Sequence, residues 1–411
     1  MSRRSPSRTV RGRAPAVSDP ATLYLDHAST SYPKDPRVVA AVAAALVDPG
    51  VAPDRGGGGR GLQAARLLAQ ARMLIAELLA VGAHERVTLT LNATDALNLA
   101  LKGVLARGDE VVTTAVEHNS VGRPLARLAA THGVVVRAAA ADGTGVVAAD
   151  AVLRLVTART RLVVLGHASN VTGALQPVAA IGRALAAAPA SRRPLLLVDA
   201  AQTAGYRPLD EIAAVADLIA GAGHKGPGGP LGTGFLWVRD GVAVAPLREG
   251  GTGSRSEELL QPEEWPGALE AGSPNVPGIA GLVAAIELRL HEATLAAVAA
   301  ARAAATREFL DGVATIAGVD CLGPRDPRAR EPVFPLRVRG YSVAESSALL
   351  EREFGIVQRA GLHCNPGVHQ ALSTFPEGTL RLSFGAGPTA AEVHATLAAL
   401  RELAQTAPAA G

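Results

Sequence analysis

Four residues in this 411-residue chain stand out because each closes or punctuates a run that should be a strand: Lys225, Asp199, Cys364 and Arg381. Lys225 follows DLIAGAGH and precedes a glycine-rich loop with Pro227 and Pro230, which confines it. A confined lysine near other cations shifts toward the neutral amine, the form that captures a carbonyl compound as a Schiff base; an ordinary surface lysine is the plain alternative. Asp199 ends the apolar run PLLLV, where a nearly buried carboxylate must find a cation, and Gln202 follows on the same turn. A structural ion pair or helix cap would also satisfy Asp199. Cys364 lies in IVQRAGLHCNPGVH between Gly361 and Pro366, with Arg359 and His363 nearby, a basic setting of the kind that favours a thiolate. Cys321, in GVDCLGP, reads instead as a small buried hydrophobe. Arg381 alternates with Leu380 and Leu382 in TLRLSF, so a strand would turn its guanidinium away from them, where its fork could clamp a carboxylate.

Weaker candidates surround these four. Asn92, Thr94 and Asp95 would cap the helix that follows RVTLTL, and that helix N-terminus could equally hold a phosphate on backbone N–H groups and the Thr94 hydroxyl. His118 in EVVTTAVEHNS and Asn170 in RLVVLGHASNVTG each fall just past a strand, where a loop histidine and a turn asparagine are ordinary. Order adds weight to the set. Asp199 and Lys225, both at strand ends and 26 residues apart, suit a pyridinium nitrogen and an aldehyde on opposite sides of one ring.

Such residues need a scaffold whose strands end together. RVTLTL, EVVTTAV, GVVVRA, RLVVLGH, PLLLVDA, DLIAGAG and TGFLWV alternate with helical stretches, which predicts crossover units, a mostly parallel sheet and a site outside its carboxyl ends. Before them, VVAAVAAALV and the segment from Leu62 to Leu79 read as helices flanking the glycine run DRGGGGRG. From about residue 277 the texture changes: one long Ala-rich helix over 277–313, then VDCLG, VFPLRVR and TLRLSF flanking helices at 342–354 and 389–404. The fold class is therefore α/β. The expected division is a basic, disordered tail (1–20), a large α/β domain (21–276) and a smaller α+β domain (277–411).

Composition narrows the partners. The net charge of +3 is local, because the first 20 residues carry five arginines against Asp19, so no nucleic-acid role is expected. Every apolar run is interrupted by charge before the roughly 18 residues a membrane span needs, so no membrane role is expected either. Two cysteines make neither a disulfide framework nor a zinc cluster, and a reducing cytoplasm is the expectation.

Taken in order, YLDHAST, NATDALN, EHNS, HASNVTG, VDAAQ, GHK, GGTGSRS, EAGSPN and RAGLHC resemble the class V aminotransferase family of fold type I pyridoxal-phosphate enzymes, most closely its cysteine desulfurase and selenocysteine lyase branch. The resemblance spans Tyr24 to Thr389. It implies pyridoxal 5'-phosphate as cofactor, Lys225 as the lysine that holds it, Asp199 on the pyridine nitrogen, Gln202 on the ring hydroxyl and His118 stacked on the ring. Thr94, with neighbouring Asp95, and His224 would serve the phosphate, and Ser273 would reach the partner subunit's phosphate across a homodimer. Asn170, Arg359 and Arg381 would bind the substrate, and Cys364 matches the family's persulfide-forming cysteine. The chain departs from the pattern at Ala222, where relatives carry a hydroxyl, at Asp95, at DRGGGGRG, and at Asn365, which replaces a small residue after the cysteine.

The implied reaction converts cysteine to alanine, with sulfur passed to Cys364 and then to an acceptor protein, Arg359 and His363 being the cations expected to favour the thiolate. A selenocysteine lyase, an eliminating C–S lyase and an aminotransferase are alternatives on the same cofactor. A non-catalytic scaffold is the alternative without it.

Overall fold

The computed structural model describes residues 22–53, 59–189, 193–253, 257–292 and 294–408. The tail expected at 1–20, most of DRGGGGRG and the end of GGTGSRS lie outside them.

The chain opens with β1 (Leu23–Tyr24), α1 (Pro36–Val47) and α2 (Gly59–Leu78). The alternating middle runs β2 (Val87–Thr90), α3 (Ala93–Val104), β3 (Glu110–Thr114), α4 (Asn119–His132), β4 (Val135–Ala139), α5 (Ala149–Leu153), β5 (Thr160–Gly166), α6 (Val178–Ala186), β6 (Leu195–Asp199), α7 (Asp210–Ala213), β7 (Leu218–Ala222) and β8 (Gly234–Val238). All seven predicted strands form, in one sheet of order β2-β8-β7-β6-β5-β3-β4. β4, β3, β5, β6 and β7 run parallel, and β8 is antiparallel to both β7 and β2. Two reversals return β2 to the common direction, so β2, β3, β5, β6 and β7 all end on one edge. Val111, Val163, Leu197 and Ile219 are fully buried, as expected of strands covered on both faces.

The remainder runs α8 (Val276–His291), α9 (Leu295–Val313), β9 (Val319–Cys321), β10 (Val333–Val338), α10 (Val343–Phe354), β11 (Ile356–Val357), β12 (Arg359–Gly361), α11 (Pro366–Ala371), β13 (Thr379–Ser383) and α12 (Ala390–Gln405). The single helix expected over 277–313 is two. Thr294 breaks it by capping α9, its side chain accepting from the Ala297 N–H, a local bond that competes with continuing the helix. An antiparallel sheet of order β12-β13-β10-β9 packs Phe334, Leu336, Leu380 and Leu382 against Phe309 of α9, Leu350 of α10 and Leu400 of α12. β1 pairs with β11, which brings residues 23–27 to the edge of this C-terminal layer, and Leu25 joins its core. β1, β11 and β12 escaped the sequence reading because two or three residues carry no period.

Candidate active site

The carboxyl ends of the parallel strands converge on a cavity lined by Thr94, His118, Asp199, Gln202, His224 and Lys225 among others. A second cleft shares Thr94, His118, His224 and Lys225 and adds Arg359, Cys364 and Arg381. Asp199 and Lys225 thus face one space, and Cys364 stands at its mouth.

Asp199 ends β6, where Oδ1 accepts from the Ala201 N–H at 2.9 Å. Burial pushes its carboxyl pKa up, against that bond and the pull of Lys225. Loss of solvation lowers Lys225 to about 8, with Asp199 opposing. Gly226 fixes the lysine's seat: a Cβ there would lie 2.1 Å from the Ala204 carbonyl oxygen. The preceding His224 carbonyl accepts from the Ser31 N–H and from Lys34 Nζ, both at 3.0 Å, so the N-terminal segment pins the same turn.

On the opposite wall, His118 caps α4, its Nδ1 accepting from the Ser120 N–H at 3.1 Å. Burial first, then the charges of Lys225, Arg359 and Arg381, lower it to about 4. The ring is therefore neutral near pH 7, with its proton on Nε2, a form that can lie flat on another aromatic ring without adding charge. Ser120 Oγ joins this histidine to Thr94, at 2.8 Å and 2.7 Å respectively. Thr94 belongs to the first turn of α3, which Asn92 caps by accepting from the Asp95 N–H. His224, lowered to about 4 mainly by burial, holds Nδ1 3.1 Å from Thr30 Oγ1. Gln202 lines the cavity with its Nε2 donating to the Ala28 carbonyl at 3.0 Å.

Arg381 is 1% exposed. Its Nη2 binds Asp26 and Ser29 Oγ, its Nη1 donates to the Asn170 carbonyl at 3.0 Å, and its buried Nε has no partner among the described residues. Arg359 is exposed, with Nη1 3.2 Å from Ser29 Oγ and Nη2 4.0 Å from Cys364 Sγ. Asn170 stands in the wall of both clefts. One expected cation fails. His363 is buried, its Nε2 faces the Thr379 carbonyl at 3.0 Å, and burial with the Arg381 charge lowers it to about 2, so it is neutral and cannot favour a thiolate.

Two further residues lie outside the two clefts' linings. Asp95 accepts from the Leu91 N–H at 3.1 Å and pairs with Arg248 at 3.4 Å. Ser273 is exposed in the segment preceding α8. Sequence reasoning missed Asp26, the partner of Arg381, and Glu117, which lines the cavity beside Asp199 and accepts from Thr114 Oγ1 at 2.7 Å and the Gly166 N–H at 3.0 Å. Burial raises Glu117 to about 7. Asp26 sits in YLDHAST and Glu117 in EHNS, so the signal was present, but the pairing needs the fold.

Known proteins resemble this chain along nearly its whole length. The family pattern for aminotransferase class-V matches residues 23–396. A probable cysteine desulfurase from Methanothermobacter thermautotrophicus is 33% identical over 401 residues, covering 96% of this chain and 97% of the relative. Among solved structures, cysteine desulfurase from Thermococcus onnurineus superimposes with a TM-score of 0.86 at 28% identity, over 93% of this chain and 95% of that one. The cysteine desulfurase CsdA from Escherichia coli gives 0.83 at 27%, over 96% and 97%. With its strand-end aspartate and lysine in one cavity and these likenesses end to end, the chain belongs to the class V aminotransferase family.

Proposed function

We propose that this protein is a pyridoxal 5'-phosphate-dependent cysteine desulfurase that converts cysteine to alanine and takes the sulfur onto Cys364. Class V aminotransferases as a family depend on that coenzyme. The cavity's chemistry fits it: a buried carboxyl at Asp199, a lysine depressed to about 8, a neutral histidine, and a helix first turn with a hydroxyl. Asp199 would take the ring nitrogen, Gln202 the ring hydroxyl, His118 the ring face, and Thr94 with His224 the phosphate. Asp95, bonded elsewhere, would support that helix turn rather than touch the phosphate. Ser273 would serve the phosphate of a partner subunit in a homodimer.

Bound there, the coenzyme supplies an aldehyde that captures the substrate's amine and a sink for the electrons released at its α carbon. Lys225, its pKa lowered to about 8, would accept the α-proton at Nζ. Arg359 and Arg381 hold the substrate carboxylate, with Asn170 forming the wall beside them. Asp199 would pair with the ring nitrogen. Cys364 thiolate then attacks the substrate's sulfur, forming an S–S bond as the carbon–sulfur bond breaks. That electron pair stays on the β carbon, which gains a proton; Lys225 would return a proton to the α carbon, and alanine leaves. The exposed Sγ leaves the sulfur open to an acceptor protein, and a reducing cytoplasm would keep the thiol free.

The observation that carries this reading is an exposed thiol beside a guanidinium in a cleft that shares Lys225 with the cavity holding Asp199. Replacing Cys364 by Ala should leave the coenzyme's visible absorbance intact and stop alanine release from cysteine. Turnover at the parental rate would refute the role of Cys364.

A further inference from the structure

The segment carrying Cys364 turns through two successive left-handed residues, His363 at φ +50° and Cys364 at φ +58°. Residues with a Cβ adopt this conformation at a cost, and hold it only where the surroundings dictate it. Here both carbonyls of the bend are fastened from the seven-stranded layer. Asn170 Nδ2 donates to the His363 carbonyl at 2.7 Å, and the Asn119 N–H donates to the Cys364 carbonyl at 2.9 Å.

Asn365 completes the arrangement. It is 1% exposed, and every polar group of its amide is used: Nδ2 donates to the Val116 carbonyl at 2.8 Å and to Asn170 Oδ1 at 3.2 Å, while Oδ1 accepts from the Val368 N–H at 3.3 Å. The approach is close, since a Cβ on Gly367 would sit 1.7 Å from the Ala115 carbonyl oxygen. A buried and fully bonded amide of this kind fixes one geometry, whereas an apolar side chain would allow several. The bonds also engage both ends of the Asn170 amide, leaving the substrate carboxylate to the two arginines. Residues 115–119 include His118, so the cysteine and the ring-facing histidine are secured to one another.

We propose that Asn365 is a positioning residue that, through Asn170 and Val116, clamps the strained bend and holds Cys364 Sγ over the cavity beside Arg359. The functional half rests on the reading of Cys364 as sulfur acceptor; the clamp itself does not.

Asn365→Ser separates the two roles of the amide, because a serine oxygen can still cap α11 while both donations are lost. In coenzyme-free protein, amide hydrogen exchange over 360–366 should accelerate about tenfold or more, with the central strands unchanged. Alkylation of Cys364 at pH 7 should slow several-fold, as the thiol loses its fixed place beside Arg359; Cys321 is buried and contributes nothing. In the holoenzyme, kcat for alanine release should fall about tenfold or more with KM within about twofold and the coenzyme spectrum unchanged. Unchanged exchange overturns the clamp, and faster exchange with unchanged alkylation and kcat overturns the positioning role. Altered exchange and alkylation in a protein whose parent form releases no alanine would support the clamp and count against the desulfurase reading alone. Should Asn365→Ser not fold, Asn365→Asp keeps the size and cap while turning both donations into repulsions, and the same outcomes apply.

Discussion

At the level of single residues, the site is a set of groups whose pKa values burial has shifted against their charged forms. Lys225 is lowered to about 8 and His118 to about 4, while Asp199 is raised. The lysine carries a direct pH prediction. Only the neutral amine captures an aldehyde, and its fraction grows as pH rises toward the depressed value. Reconstitution of coenzyme-free protein should therefore speed up about tenfold per pH unit below pH 8 and level off above it. Followed by visible absorbance, a rate still climbing tenfold per unit at pH 9 would mean that Lys225 behaves as a surface lysine. Much of this residue set was legible, because a charged residue that closes an apolar strand is conspicuous in sequence. His363 was misread for a reason sequence cannot supply: proximity to Cys364 along the chain said nothing of its burial against Thr379. Glu117 and Asp26 were passed over because the partners that tie them into the site, Gly166 and Arg381, lie 49 and 355 residues away.

The elements explain why these side chains meet. Parallel strands end on one edge, and the seven runs that announced the sheet were short and β-branched or Leu-rich, so it was legible down to its strands. Strands of two or three residues and the break at Thr294 were not, since they rest on pairing and capping rather than on period. The helix that should hold a phosphate is set by a neighbour it does not touch in sequence. Gly234, the first residue of β8, leaves room for Asn92, and a Cβ there would come within 2.5 Å of the Asn92 Cα and carbonyl carbon. Backbone cannot give way as a flexible side chain can, so Gly234→Ala should push the α3 N-cap aside. Coenzyme affinity, titrated by absorbance, should weaken about tenfold or more, from loss of N-terminal N–H and hydroxyl contacts. An unaltered dissociation constant would show that the α3 terminus is not the phosphate seat.

For the molecule as a whole, several apolar side chains remain in water. Leu46 and Val47 on α1 are 66% and 77% exposed, and Leu231, at the mouth of the cleft, is 68% exposed. The proposed homodimer would have a second copy cover such side chains. Sedimentation should give twice the monomer mass, and Ser273→Ala should weaken coenzyme binding several-fold although Ser273 lies outside its own chain's clefts. A monomer, or a variant with parental affinity, would remove the shared site from the account. No helix among the described residues is long and apolar enough to cross a membrane.

The most direct measurement is to incubate the reconstituted protein with cysteine, without reductant, and to quantify products alongside the mass of the peptide containing Cys364. Alanine should appear together with one added sulfur atom on that peptide. Pyruvate and ammonia, with the peptide unmodified, would contradict a desulfurase and leave elimination as the chemistry of this site.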